Sequence, residues 1–375
     1  MATKYHAEHV GSLLRPPELL EARRAQAEGR VTYEQLQDLE DQAALQAIEL
    51  QREAGMEVFT DGEVRRATWM ASLLENLGGV QPLPLEESAV VDWHRDSGQD
   101  PSKDETNWQM VVATGKLSLR VPRTSIEAAF LAKHAPGPFK ITMMSASMGS
   151  LLWRPGMSEP AYPTPDQMMK DLIDVQAQEI EGLLDQGVSW IQLDSLSYNQ
   201  LMDDHFRQVT IGDAVPPAAI LDQIISIDNQ IIRRARARKP DVTIGLHICR
   251  GNNRSAWMAE GSYEPVAERL FGSLDVDRFL LEYDTERAGG FEPLRFVPKG
   301  RTVVLGLVSS KLPQLESQDD LRRRIEEASK HVAIEDLALS PQCGFASTAQ
   351  GNLLTVDEER RKLQLVTETA RRVWG

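Results

Sequence analysis

Eight short apolar runs punctuate this chain, most of them followed by a longer stretch with helical spacing, and that alternation constrains the fold more than any other feature. The runs are HVGSL near residues 8–13, EVFTDGE at 57–63, FKITMMSAS at 139–147 and WIQLDSLS at 190–197, then VTIGLHICR at 242–250, RFLLEYDT at 278–285, TVVLGLVSS at 302–310 and LALSPQCGF at 337–345. Short apolar runs rich in β-branched and aromatic residues read as buried parallel strands. Helical patterns occupy 33–54, 165–187, 216–237, 263–272, 318–331 and 355–373. The count and order predict an α/β chain folded as a (β/α)8 TIM-type barrel. A doubly wound open sheet is the alternative, but no Gly-rich phosphate turn follows the first run.

At 375 residues the chain exceeds a minimal barrel of about 250. It is expected to form one barrel domain over 1–375, with a strand and a helical extension in 1–56 and an insertion after strand two over about 64–138. The insertion holds an acidic, proline-containing segment, LPLEESAVVDWHRDSGQDPSKDE, and then WQMVVATGKLSLRV, whose alternation reads as a hairpin. It is either a surface excursion over one rim, or a lid or dimer contact; a homodimer is permitted by the sequence but not required. The net charge of −15 argues against binding to nucleic acid or to an anionic membrane, because both need clustered Lys and Arg. No apolar run approaches the ~18 residues of a membrane span, and MATKYHAEHVGSLLRP lacks the apolar core of a secretory signal. A cytoplasmic protein is expected. Two cysteines, Cys249 and Cys343, are too few for a disulfide framework.

The chemistry lies at the strand ends, which read TDGE, QLDS, LHICR, LLEYD and SPQCGF. In barrel enzymes the site sits at the C-terminal rim. His247 and Cys249 are two apart in a strand, so they point to one face while Ile248 points to the other. Taken alone, the pair is equally a hydrogen-bonded core histidine beside a cysteine that packs as a small hydrophobe. Cys343 ends the last run, and Glu282 ends the run after LHICR. Together His247, Cys249, Glu282 and Cys343 supply the nitrogen, thiolate and carboxylate donors that zinc accepts. Asp284 has the same strand parity as Glu282 and competes with it.

In this order, H-x-C, then E, then P-x-C-G, the residues resemble the zinc set of the cobalamin-independent methionine synthase family, specifically its catalytic C-terminal barrel. HVGSLLRP resembles that family's I-G-S turn, TDGEVRR its G-E segment, and IQLD its aspartate-bearing strand, so the likeness runs from residue 9 to residue 345. It implies Zn2+ at His247, Cys249, Glu282 and Cys343, and homocysteine contacts at Ser12, Glu63 and Asp194. Paired carboxylates suit the ammonium of an amino acid; the structural alternatives are that Asp194 caps a turn and that Glu63 pairs with Arg65 or Arg66. The implied reaction is zinc-dependent transfer of a methyl group to the thiol of homocysteine, giving methionine. The methyl donor would be methyl-folate or a corrinoid carrier.

The chain departs from the family pattern in three places. It has one barrel, like the short members, where full-length enzymes carry a second. Where the family shows Asp-x-His after strand seven, Ser309 and Lys311 stand, so Lys311 becomes the candidate acid for the leaving group. Ser195 replaces the second acid of the family's Asp-Glu-Pro. Alternatives are a zinc enzyme that alkylates another thiol, as in epoxide opening, a metal-free decarboxylase-like barrel, and a non-catalytic metal-binding barrel. Arg287 and Arg295, in the long segment after Glu282, read as solvated charges or as a site for an acidic substrate group.

Overall fold

In the computed structural model, which describes residues 5–71, 75–83, 92–96, 98, 110–120, 122–210, 212 and 215–375, the alternation of the sequence becomes an α/β fold. An antiparallel pair comes first, β1 (Leu77–Pro82) with β2 (Val111–Leu119). Six parallel strands follow: β3 (Ile141–Met144), β4 (Trp190–Ser195), β5 (Thr243–Ile248), β6 (Arg278–Glu282), β7 (Thr302–Val308) and β8 (Leu337–Pro341). They lie side by side in chain order. Helices cross between them at Pro165–Asp185, Pro217–Arg238, Glu264–Ser273 and Gln318–Ala328, and Val356–Trp374 follows β8. Nearly every residue of the six strands is buried, because the sheet is covered on both faces.

Two expected strands, at 8–13 and 57–63, are not strands. An isolated parallel bridge, Ala7 with Leu339, comes just before the first, and another, Phe59 with Phe139, lies within the second, at opposite edges of the six-stranded sheet. Leu13 N also donates to Gly62 O at 3.0 Å, joining the two segments to each other. The second segment leaves extended geometry at Gly62 (φ 72°) and Glu63 (φ 52°), which ends any ladder there. The insertion is also built otherwise than expected. Its alternating run is one strand, β2, not a hairpin by itself, and it pairs with Leu77–Pro82, a segment whose two glycines hid it from pattern reading. Most of the acidic segment lies outside the described residues.

Sequence-local signals place the helices well. Thr32 with Gln35 and Thr355 with Glu358 form capping boxes, and Thr164 and Ser317 cap two more helix starts. The apolar stripe of Pro165–Asp185, including Leu172, Ile180 and Leu183, is buried, and the helix lies against β2 and the helix Pro217–Arg238. Two helices, Pro17–Ala27 and Tyr33–Glu53, make the N-terminal extension. No helix among the described residues is long and apolar enough to cross a membrane.

The face that carries the site is stratified. Along β6, Arg278, Leu280 and Glu282 point the same way and mark three levels. At the first, Arg278 pairs with Glu8, which also holds Lys140. At the second, Leu280 packs with Val10, Val304 and Ala338. The third, at the C-terminal ends of the strands, carries the chemistry.

Candidate metal centre

The functional side chains sit at or just past the C-terminal ends of the strands. Asp194, His247 and Glu282 occupy the last two positions of β4, β5 and β6, whereas Cys249, Lys311 and Cys343 lie one to three residues beyond a strand. Parallel register sets Asp194 beside His247 and Glu282 beside Gly306. Gly306 is required there, since a Cβ would sit 2.8 Å from both Gln342 Cα and Leu281 O. The turn after β8 therefore packs directly on β7 and brings Cys343 inward. Asn252 ties the two cysteine loops together, donating to Gly344 O at 2.7 Å and to Ser347 Oγ at 3.1 Å.

One donor atom each from His247, Cys249, Glu282 and Cys343 lies within 4.8 Å of the other three, and all four residues are buried. The two sulfurs are 3.5 Å apart. His247 Nδ1 faces Leu280 O at 3.2 Å, a partner that can only accept, so Nδ1 carries a proton and Nε2 is the nitrogen left for the cluster. Nε2 is buried without a hydrogen-bond partner among the described residues. Glu282 is oriented from two sides: Arg250 N donates to Oε1 at 2.7 Å and Gln342 Nε2 to Oε2 at 3.2 Å. Gln342 in turn accepts from Ser310 N at 2.6 Å, which fixes its amide orientation.

The electrostatics favour a cation at this point. The hydrogen bond from Cys249 and the nearby imidazole pull the Cys343 thiol well below its ordinary value, against burial. The same shared hydrogen bond, with burial, pushes Cys249 up, so one proton serves two sulfurs. Burial works against a charged His247, but Cys343, Asp194 and Glu282 outweigh it and raise the imidazole to about 9. Glu282 stays below its ordinary value despite burial, through the charges of Lys311 and His247. A buried orphan nitrogen facing two sulfurs and an oriented carboxylate fits a four-coordinate zinc set.

Beside this cluster is a small cavity whose wall includes Ser12, Glu63, Trp69, Asp194 and Ser347. Ser12 Oγ donates to Glu63 Oε2 and Thr142 Oγ1 to Oε1, both at 2.6 Å. Arg66, held by Glu127, stands 3.5 Å from Glu63 Oε2. Burial raises Asp194 to about 7, with the Glu63 charge adding to it and His247 opposing. The cavity thus brings together Ser12, Glu63 and Asp194, which are far apart in the chain, against the metal-ligand cluster.

Other candidates fall elsewhere. Asp284 is not in the cluster; it is buried in a two-point pair with Arg287 Nη2, at 2.9 and 3.0 Å. Arg287 is committed to Asp284 and Asp96, and Arg295 to Glu264 at the surface. Lys311 is buried and its Nζ has no hydrogen-bond partner among the described residues. It is near enough to Glu282 to be the first of the charges lowering it. Thr142, Gln192, Asn252 and Gln342 were not foreseen. The signal for Gln192 was available, a polar residue of the same parity as Asp194 in the apolar run WIQLDS.

The family model described as the catalytic domain of cobalamin-independent synthase matches residues 6–371. The chain belongs to that family. It is 38% identical to the uncharacterized protein YxjH of Bacillus subtilis, over 99% of this chain and 95% of the relative. A crystal structure from Listeria monocytogenes, assigned as a vitamin-B12-independent methionine synthase, superposes with a TM-score of 0.76 at 30% identity and covers 100% of this chain and 99% of that one. The B12-independent methionine synthase of Shewanella sp. W3-18-1, solved with selenomethionine, shares the fold with a TM-score of 0.70 at 19% identity, covering 99% and 98%. Membership places the chain among the methionine synthase-like methyltransferases.

Proposed function

We propose that this protein is a zinc-dependent methyltransferase that transfers a methyl group to the thiol of homocysteine to form methionine. The observation that carries the reading is the meeting of His247, Cys249, Glu282 and Cys343 around an unpartnered Nε2, next to a cavity walled by two carboxylates. Zinc bound by these four residues would act as a Lewis acid that favours the thiolate form of the substrate at neutral pH.

The chain's own residues supply the rest. Asp194 and Glu63 receive the substrate ammonium, and Ser12 holds Glu63 in place. Burial of the site excludes water and strengthens these contacts. In the transfer the sulfur forms a bond to the methyl carbon as the bond from carbon to the donor breaks. With methyl-folate the electron pair stays on the leaving nitrogen, which takes a proton; with a corrinoid it stays on the metal and no proton is needed. Lys311 Nζ, buried and without a hydrogen-bond partner among the described residues, is the group assigned to give the proton that a leaving nitrogen requires. Methyl-folate and a corrinoid carrier both remain as donors; Lys311 and Ser309, in place of the family's Asp-x-His, are the residues on which that choice turns.

The reading also takes the chain as one (β/α)8 barrel with an insertion at about 64–138. Its support is the pair of bridges at the two sheet edges and the Leu13–Gly62 hydrogen bond between them. A cytoplasmic location is part of the same proposal.

Zinc content of the purified protein, with and without Cys343→Ser, tests the reading, together with X-ray absorption as homocysteine is added. About one zinc per chain, lost in the variant, is expected, with an additional sulfur scatterer when homocysteine is present. Zinc that ignores homocysteine would redirect the reading to another thiol. No stoichiometric zinc under reducing conditions would end it.

A further inference from the structure

Asp194 is held by a chain of buried polar groups that begins at the first level of the face that carries the site. Lys140 Nζ is fully buried and makes three hydrogen bonds: to Glu8 Oε1 at 3.1 Å, to His9 O at 2.6 Å and to Gln192 Oε1 at 2.6 Å. Glu8 is itself fixed by Arg278, whose Nε donates to Oε2 at 3.0 Å. An ammonium group has three donors and no acceptor, so every partner of Lys140 must present oxygen. That requirement settles the orientation of the Gln192 amide, which a side-chain amide with two similar ends otherwise leaves open. With its oxygen on Lys140, Gln192 turns its NH2 to Asp194 Oδ1 at 2.7 Å.

The consequence falls on the cavity. Asp194 Oδ1 is engaged as an acceptor, and Oδ2 makes no hydrogen bond among the described residues. Glu63 differs: Thr142 and Ser12 bind its two oxygens, and Arg66 lies within ion-pair distance. No cation among the described residues is in ion-pair contact with Asp194. Of the two cavity carboxylates, Asp194 is therefore the one whose charge the protein leaves for a ligand to answer.

We propose that Gln192, oriented by Lys140, is a positioning residue that presents Asp194 Oδ2 to the cavity and so selects thiol substrates bearing a protonated amine over thiols bearing only anionic groups. This rests on the reading of Asp194 as the acceptor of the substrate ammonium. Gln192 touches neither substrate nor metal ligand in this role; it acts through Asp194.

The test compares binding of L-homocysteine with 4-mercaptobutanoate, which keeps the thiol and the carboxylate and lacks the amine. Calorimetry on the zinc-loaded protein reads both. Wild type should prefer homocysteine by about tenfold or more, the scale of one charged hydrogen bond. Gln192→Met, close in volume, should lose most of that preference while binding 4-mercaptobutanoate as before. In an Asp194→Asn background the same change should have no further effect on the preference, since the two residues act as one unit. If Gln192→Met does not fold, Gln192→Asn, one methylene too short to span Lys140 and Asp194, replaces it with the same expectation. Wild type without a preference would remove the amine-binding reading itself. A wild-type preference that vanishes in Asp194→Asn but survives in the Gln192 variants would overturn the relay alone. Equal weakening of both ligands would show a merely structural role and overturn it as well.

Discussion

Cys249 and Cys343 are 94 positions apart in the chain, and their sulfurs are 3.5 Å apart in the fold. One proton between two buried sulfurs, with an imidazole and a carboxylate beside them, makes a donor set that suits a divalent cation once the protons leave.

The first prediction counts protons. Without metal, His247 is protonated below about 9 and Cys249 keeps its proton, whereas Cys343 and Glu282 are already held toward their charged forms. All four must be deprotonated to bind zinc. Binding near pH 7 should therefore release about two protons per zinc, and affinity should climb with pH, more steeply below about 9 than above it, where only Cys249 still holds a proton. Calorimetry in buffers of different ionisation enthalpy measures the number, and a value near zero would contradict the charge states.

A second prediction concerns Lys311. Its buried, unpartnered Nζ is assigned to proton transfer, so Lys311→Ala should lower kcat at saturating substrates by about 100-fold, the ordinary scale of general acid catalysis. Zinc content should not change. An unaltered kcat would remove Lys311 from the mechanism.

Gly344 offers a test of how the site is assembled. A Cβ there would lie 2.7 Å from Ser12 N and 3.1 Å from Ser12 O, both backbone atoms that cannot swing away. Gly344→Ala should destabilise the fold by about 1–3 kcal/mol in urea unfolding. Because the neighbouring residue is Cys343, the variant should also bind zinc more weakly. Normal zinc affinity would mean that the loop absorbs the methyl group without moving the sulfur.

The last prediction lies away from the site. Glu359 is fully buried, and burial raises it to about 8, only partly offset by the hydrogen bond from Leu14 N and the charge of Arg360. The folded state holds this proton where the unfolded chain, with an ordinary value of 4.5, has released it. The contribution of Glu359 to stability is thus greatest below 4.5, falls as pH rises from there to about 8, and levels off above. Glu359→Gln should flatten that fall, raising stability at pH 8 by on the order of a few kcal/mol and changing little at pH 4.5. Thermal melts of both proteins across the range decide it; parallel pH profiles would show that Glu359 does not carry the proton.

The sequence carried part of this site in plain view. Parity alone puts His247 and Cys249 on one face, and short apolar runs ending in acid, imidazole or thiol mark the C-terminal rim. Strand ends were harder to see. The expected runs at 242–250 and 337–345 overshoot β5 and β8, because the residues that leave the ladder there are as apolar-flanked as those within it. The segments at 8–13 and 57–63 look like strands by composition, but the positive φ at Gly62 and Glu63 stops the second from extending.

What the sequence by itself determined is local: which residues alternate, where helices are capped, and which side chains share a face with their neighbours two positions away. Those properties follow from backbone geometry over a few residues. The 3.5 Å between two sulfurs, the unpartnered nitrogen of His247, the pairing of Asp284 with Arg287 rather than with the cluster, and the amide orientation of Gln192 were decided only by the tertiary structure. Each depends on contacts between segments brought together by parallel register and by the packing of Gly306 and Gly344, and no local periodicity encodes a distance across the sheet.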